Sequence, residues 1–209
     1  MLIRHYLRVA VLIAFLLLLF ILVLAAAFLF TDFYSTQGRL DISSQVSAYS
    51  SSSIQKGTNL ALNEPLDVYV LGSGLLQQEL SERMPDYLKM NPYVGSITMH
   101  SGPPVASTNC VLVIDLRSKD ILWTPFYART TANIRMAFAS DGAVDWIDQD
   151  VVRFESGQIA VRVRGIYDVN ARNYGIFSIP GYYEYLGQSI SKQLNDSLSA
   201  QLDNAQPKP

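Results

Sequence analysis

Five carboxylates crowd into one stretch, Asp141, Asp145, Asp148, Asp150 and Glu155, and carboxylate oxygens at this density are what Ca²⁺ or Mg²⁺ takes as ligands. An EF-hand loop would place further acidic or amide ligands at alternate positions and a Glu at the twelfth. Here Gly142 directly follows the first Asp and no Glu stands at the twelfth place. The spacing therefore fits a solvated acidic loop, with Asp141, Asp145 and Asp148 left as weak metal candidates and no metal or cofactor expected. Trp146 and Ile147 interrupt the acids. Apolar residues in such a setting either fold back onto a sheet or form a contact patch, so both enter the set of candidate binding residues.

Nucleophilic chemistry finds little support. The chain has two histidines, His5 before an apolar run and His100 beside Ser101-Gly102-Pro103-Pro104, and neither stands near a recognisable nucleophile motif. Cys110 is the only cysteine and opens the apolar segment Cys110-Val111-Leu112-Val113-Ile114, the setting of a buried structural thiol. Gly72-Ser73-Gly74 sits between a strand pattern and a helix pattern, where backbone N–H groups could hold an anion. It lacks the third Gly of a dinucleotide fingerprint and the Gly-Lys-Ser/Thr of a P-loop, and reads as a connecting turn. The chain is read as non-enzymatic.

Binding chemistry is better supplied. Arg129, Arg135, Arg153, Arg162, Arg164 and Arg172 fall on or near two long strand patterns, and alternation would put several on one sheet face. Cross-strand pairing with acids such as Asp168 and Glu155 is their plainer role, and an anion or lipid-headgroup site the more specific one. Aromatics at 167, 174, 177, 182, 183 and 185 gather near the end of the chain, and Tyr with Arg is a common interface pairing. The candidate binding set is Trp146, Ile147, Arg135, Arg162, Arg164, Tyr167 and Tyr174. Asn195-Asp196-Ser197 matches a glycosylation sequon but lies inside a helix pattern.

The elements that must position these residues begin with a run free of charged or polar side chains from Val9 to Phe30. At about 1.5 Å per residue it extends roughly 33 Å, enough to cross a hydrocarbon core of about 30 Å. Arg4 and Arg8 precede it and Asp32 follows, so the positive-inside rule places residues 1–8 in the cytoplasm and everything after residue 30 outside. The lipid bilayer is thus the first expected partner. A signal peptide cleaved after Ala27 competes with an uncleaved anchor, but the run exceeds the usual ~7–15 residues of a signal core. Residues 31–60, rich in Ser, Thr, Gln and Gly, read as a flexible spacer in which Leu40, Ile42, Val46 and Tyr49 could line a weak helical face.

A single α+β domain is expected over 61–204, followed by a flexible tail at 205–209. Leu66–Leu71 reads as a strand, Leu75, Leu76, Leu80, Met84 and Leu88 as an amphipathic helix that Pro85 kinks or ends, and Val94–Met99 and Cys110–Leu116 as two more strands. Ile134, Met136 and Phe138 alternate with Asn133, Arg135 and Ala137, while Ile159, Val161 and Val163 alternate with Ala160, Arg162 and Arg164, the pattern of half-exposed antiparallel strands. Val151–Glu155 is a further short strand candidate. Tyr183, Leu186, Ile190, Leu194, Leu198 and Leu202 mark a closing helix that Ser178 would cap ahead of Pro180. The resulting fold class is a mixed or largely antiparallel sheet with two amphipathic helices on one face, leaving the other face open.

A formal net charge of −2 provides no broad basic field for nucleic acid. Three functions fit these features. The first is a membrane-anchored extracytoplasmic domain that binds a protein partner or assembles into an envelope complex. The second is a small-molecule or lipid-binding domain using the open sheet face. The third is a metal-assisted hydrolase using the acidic loop.

Overall fold

The computed structural model describes residues 2–51, 64–154 and 160–205. Helix α1 spans Leu2–Phe30, and its stretch Ala10–Phe30 is long and apolar enough to cross a membrane, with none of its residues buried. Only residues 31–33 separate α1 from β1, a strand running Tyr34–Ser50.

That strand corrects the spacer expected at 31–60 and the helical face expected within it. Leu40, Ile42, Val46 and Ala48 recur at even intervals and lean on the core, while Arg39, Asp41, Ser43, Gln45 and Ser47 alternate with them. The period is two, as in a strand, and Tyr49 falls on the opposite side from Leu40. Ser44 interrupts the apolar series, and the other face is solvent, so the composition resembles a linker. Ser52, Ser53 and Asn59 of the same expected spacer lie outside the described residues.

Strand β2 (Glu64–Leu71) leads into α2 (Leu75–Leu88), β3 (Val94–His100), β4 (Cys110–Thr124), β5 (Tyr127–Ala139), β6 (Val161–Phe177) and α3 (Ile179–Ala205). The six strands form one sheet in the order β1-β6-β5-β4-β2-β3. Strand β2 pairs in parallel with β3 and β4; β4, β5, β6 and β1 pair antiparallel. The α+β class, with a mixed sheet and two helices on one of its faces, therefore stands. Residues 151–154 form no strand, because this segment crosses over the sheet instead of joining it; Glu155, Ser156, Gly157 and Ile159 lie outside the described residues.

One face of the sheet and both helices make the core. Val68, Leu112, Ile134, Met136, Val163 and Tyr167 point to it from the strands, and Leu80, Met84, Leu186, Leu194 and Leu198 from the helices. Helix α2 continues past Pro85 for a turn to Leu88, since a proline so near the end removes a single intrahelical bond. Ser178 caps α3 as expected: its Oγ accepts the Gly181 N–H at 3.0 Å. The same Oγ accepts the Phe33 N–H at 3.1 Å, and the Ser178 N–H donates to the Phe33 carbonyl at 3.0 Å. A Cβ on Gly181 would lie 2.3 Å from that carbonyl oxygen, so only glycine lets the segment after α1 lie against α3. Asn195 is buried and its Oδ1 accepts from Asn91 Nδ2 at 3.4 Å, which leaves the sequon no room for a glycan in this fold.

Candidate functional site

The sheet face away from the helices is divided. Its upper half is roofed by residues 141–154, which return across β5 and β6. Trp146 is the anchor of this roof, 1% exposed, packed with Ala137 and Ala139 and donating from Nε1 to the Ala143 carbonyl at 2.9 Å. Gly142 pins the segment: its φ is +69°, its carbonyl accepts the Ser107 N–H at 3.1 Å, and a Cβ there would collide with Ser107. Ile147 is half-buried beside Val144 over the patch of Tyr69, Val111 and Val113.

Arginines hold the roof down. Arg162 and Asp141, with side chains 6% and 8% exposed, pair at 2.6 Å, and Arg162 also donates to the Arg153 carbonyl at 2.8 Å. Its guanidinium lies 5.5 Å from the Trp146 ring centroid and 5.0 Å from that of Phe154, within cation–π range. Arg164 donates to the Trp146 carbonyl at 2.8 Å and sits 5.3 Å from the same ring. Burial, and next repulsion from Arg135, lower its proton affinity below the ordinary value. Arg135 bonds Asp148 at 2.6 Å, and Arg117 reaches the same oxygen at 3.6 Å.

This arrangement redistributes the sequence candidates. Trp146, Arg135, Arg162 and Arg164 come together, as packing and pairing groups. Asp141 and Asp148 serve arginines, and among the described residues no group of three or more His, Cys, Asp or Glu could hold a metal ion. The pairing acids are Asp141 and Asp148; Asp168 instead accepts from Asn133 at 2.7 Å. Tyr167 is fully buried on the helix-covered face, its hydroxyl 3.9 Å from Met136 Sδ, and burial pushes it up to about 12. Odd-numbered positions of β6 face the helices there, so Tyr167 belongs to the core and not to the open face. A cavity of about 280 Å³ remains between the roof and the sheet, lined by Arg135, Asp148, Val113 and Ile147 among others.

The lower half is bare. Register places Arg129 opposite Arg172 and Arg172 opposite Arg39, three exposed guanidiniums across three strands, lining a shallow depression of about 470 Å³ with Thr131 and Asn170. Arg39 bonds Asp41 at 2.7 Å; no ion pair engages Arg129 or Arg172 among the described residues. Tyr174, 59% exposed, packs against Tyr127 at 5.2 Å between ring centroids. Arg129, Arg172 and Tyr174 are legible as binding candidates from the sequence, whereas Arg39 is not, because the Ser-, Thr- and Gln-rich composition of its strand is that of a spacer.

A third cluster was also missed. Buried Asp67 accepts from Ser107 Oγ at 2.6 Å and Asn109 Nδ2 at 3.2 Å and contacts His100 Nε2 at 2.9 Å; His100 stacks on Tyr69 at 4.9 Å. Burial raises the Asp67 carboxyl's proton affinity, but the bonds from Ser107, His100 and Asn109 outweigh it and hold the group below its ordinary value. Ser107 donates to the carboxylate and not to the imidazole, so the serine–histidine contact of a catalytic triad is not made here; the cluster ties β2 to β3 and to the loop before β4. The lone Asp within Leu66-Asp67-Val68-Tyr69-Val70-Leu71 was the available signal. Burial and the charge of Glu64 push the Cys110 thiol up to about 11, as suits a structural cysteine. At the Gly72-Ser73-Gly74 turn, Lys119 Nζ donates to the Ser73 carbonyl.

Fold and site together define an α+β domain carried on an apolar amino-terminal helix. No family profile matches the chain, and no curated protein does. Among solved structures it is similar to the PelC dodecamer from Paraburkholderia phytofirmans, at 8% identity and a TM-score of 0.38 over 75% of this chain and 98% of that one. A variant of the same dodecamer in another crystal form gives 9% identity and 0.37 over the same shares. Likeness this weak transfers neither activity nor oligomeric state.

Proposed function

We propose that the protein is a single-pass membrane protein, amino terminus in the cytoplasm and domain outside, that works without catalysis by binding a protein partner in an envelope assembly. The observation that carries this reading is the join between anchor and sheet. Three residues after α1 the chain enters β1, a 17-residue strand that forms one edge of the sheet. Phe33 is bonded to Ser178 at this join. The domain is therefore held at a fixed height, not on a leash. Strands usually run about 3–10 residues, and edges are commonly protected by Pro, Lys or a covering loop. Strand β1 is longer, contains neither Pro nor Lys, and no described strand pairs with its outer side. Such an edge suits addition of a partner's strand. The flanking charges, Arg4 and Arg8 before the apolar stretch Ala10–Phe30 and Asp32 after it, support the orientation.

The cavity under the roof does not favour a small-molecule function over this one. At about 280 Å³ it is at the lower edge of the usual ligand range of about 300–1,000 Å³, and the depression of about 470 Å³ at the bare end is shallow and lined mainly by charged and polar residues, not by the apolar side chains of such pockets.

Cross-linking in intact membranes tests the proposal. Cys110 is buried, so single cysteines introduced as Gln45→Cys or Ser47→Cys on β1 report without background, with Ala200→Cys on α3 as the control. A reproducible adduct from β1 and none from α3 supports strand addition, and two linked copies of this chain would make the partner a second copy. Equal labelling at all sites, or no adduct, would sink it.

A further inference from the structure

The bare end of the open face lies next to the end of α1. Phe28, in the last turn of α1, packs on Phe33, Trp123 and Phe126 at 5.3, 6.5 and 6.4 Å between ring centroids. Trp123 and Phe126 belong to the tip of the β4–β5 hairpin, so if α1 crosses a bilayer this tip sits at its surface. Phe126 is 64% exposed, and Leu122, Tyr34, Tyr174 and Ile176 are exposed around it. Large apolar side chains clustered at one exposed tip mark a contact surface, and aromatic residues gather where a protein meets the membrane–water boundary.

Residues on the open face change character in order away from the tip. First comes the Tyr127–Tyr174 pair. Two residues further along each strand, about 7 Å at the usual rise, comes the row Arg129, Arg172, Arg39, with Leu122 on β4 opposite Arg129. The next row holds Thr131, Asn170 and Asp41, with Asp120 opposite Thr131. Apolar, then cationic, then polar and acidic is the order in which a lipid leaflet presents acyl chain, phosphate and water.

We propose that this end of the domain docks on the outer leaflet, Phe126, Tyr127 and Tyr174 entering the interface beside the partly buried Trp123 and Arg39, Arg129 and Arg172 binding the phosphates of anionic lipid headgroups. The inference rests on the proposed anchoring of α1. Guanidiniums aligned on neighbouring strands repel one another, and an anion placed among them removes that repulsion. Arginine's planar fork matches phosphate oxygens in pairs. Only residues 31–33 join α1 to the sheet, so the row stays within reach of the headgroups.

The test uses the full chain reconstituted in phosphatidylcholine vesicles with and without phosphatidylglycerol. Flotation with the vesicles after an alkaline wash reports the anchor separately. Docking is read as quenching of tryptophan fluorescence by lipid brominated near the headgroup. The wild-type chain carries Trp123 and the buried Trp146; Trp123→Phe leaves the latter alone. The expected result is strong quenching in the wild type, little in Trp123→Phe, and an increase with phosphatidylglycerol that Arg39→Gln, Arg129→Gln and Arg172→Gln each diminish. Each replaced arginine should lower the docked-to-undocked ratio roughly fivefold, the equivalent of about 1 kcal/mol per basic residue at an anionic surface.

A chain that floats while Trp123 stays unquenched overturns the docking and spares the anchor. A chain that does not float overturns the anchor, and the docking with it. Quenching indifferent to phosphatidylglycerol and to all three arginine variants overturns the headgroup site. Thermal stabilisation by inorganic phosphate in neutral detergent, without a response to phosphatidylglycerol, would make the row a site for a soluble anion instead.

Discussion

The two ends of the helix-free face carry the same residue type in opposite conditions. At the roofed end, Arg135, Arg162 and Arg164 are bonded to carboxylates or carbonyls, and Arg162 and Arg164 lie on Trp146. At the bare end, Arg39, Arg129 and Arg172 stand beside one another in solvent, with Asp41 the single bonded acid. An arginine that is desolvated and bonded is part of the fold, because removing it takes away hydrogen bonds and packing that the fold uses. An arginine that is exposed beside its like adds nothing to the fold, and its placement needs another explanation. The contrast separates structural from functional arginines where residue type alone cannot.

Substituting at the roofed end is the largest way to break the comparison. Arg162→Ala removes from the buried Asp141 its charged hydrogen bonds to the guanidinium and uncovers Trp146, and should cost about 3 kcal/mol. Chemical unfolding of the full chain in detergent measures it. If Arg162→Ala and Arg172→Ala prove equally mild, the division of the face is wrong.

Next is Asp67, which fastens the loop that Gly142 grips through Ser107. Its folded carboxyl titrates below its unfolded value, so the stability it contributes is fully present above about pH 3.9, the model-peptide value, and is lost as pH falls through the folded value. Asp67→Asn should lower stability at neutral pH by on the order of 2 kcal/mol, the scale of one hydrogen bond to a charged group. It should also flatten the acid limb of the stability curve below about pH 4. An unchanged acid limb would show that another carboxylate governs it.

Ser178→Ala addresses the join of the bare end to α1. Loss of an N-cap hydroxyl costs about 1 kcal/mol, and here it also removes the acceptor of the Phe33 N–H. Hydrogen exchange should quicken at Phe33 and Gly181 and stay unchanged at the roofed end. Acceleration at both ends would mean that they do not fold as separable regions.

How much of this was legible follows from the range of the interactions. Strands β5 and β6 and helix α3 were readable because their periodicity is local: Ile134, Met136 and Phe138 alternate within five residues, and Leu186, Ile190, Leu194 and Leu198 repeat at four. Strand β1 was not, because its apolar side is thin and its identity is set by β6, whose Phe177–Val161 lie opposite Tyr34–Ser50. Once β1 was read as a spacer, Arg39 could not join Arg129 and Arg172 in a row. The roof was half legible. Trp146 amid acids announced either a fold-back or a patch, but choosing required Ala137 and Ala139, small residues on β5 that leave space for an indole. The aromatics near the end of the chain were grouped without regard to parity, and parity decides that Tyr167 is core and Tyr174 surface.

The smallest predicted effect has the most telling sign. Arg172 lies between Arg129 and Arg39, and like charges directly opposite on neighbouring strands are unfavourable by about 0.2–1 kcal/mol. Arg172→Gln should therefore stabilise the protein slightly in neutral detergent, and the gain should shrink at high salt as screening weakens the repulsion it relieves. Removing Arg162, bonded to Asp141 and packed on Trp146, should have the opposite sign. A protein that keeps a row of mutually repelling charges gives up stability for something the folded domain alone does not use, which is the ordinary relation between a binding site and its scaffold. If Arg172→Gln destabilises instead, the bare end is held by contacts like those of the roofed end, and the distinction on which the headgroup site rests disappears.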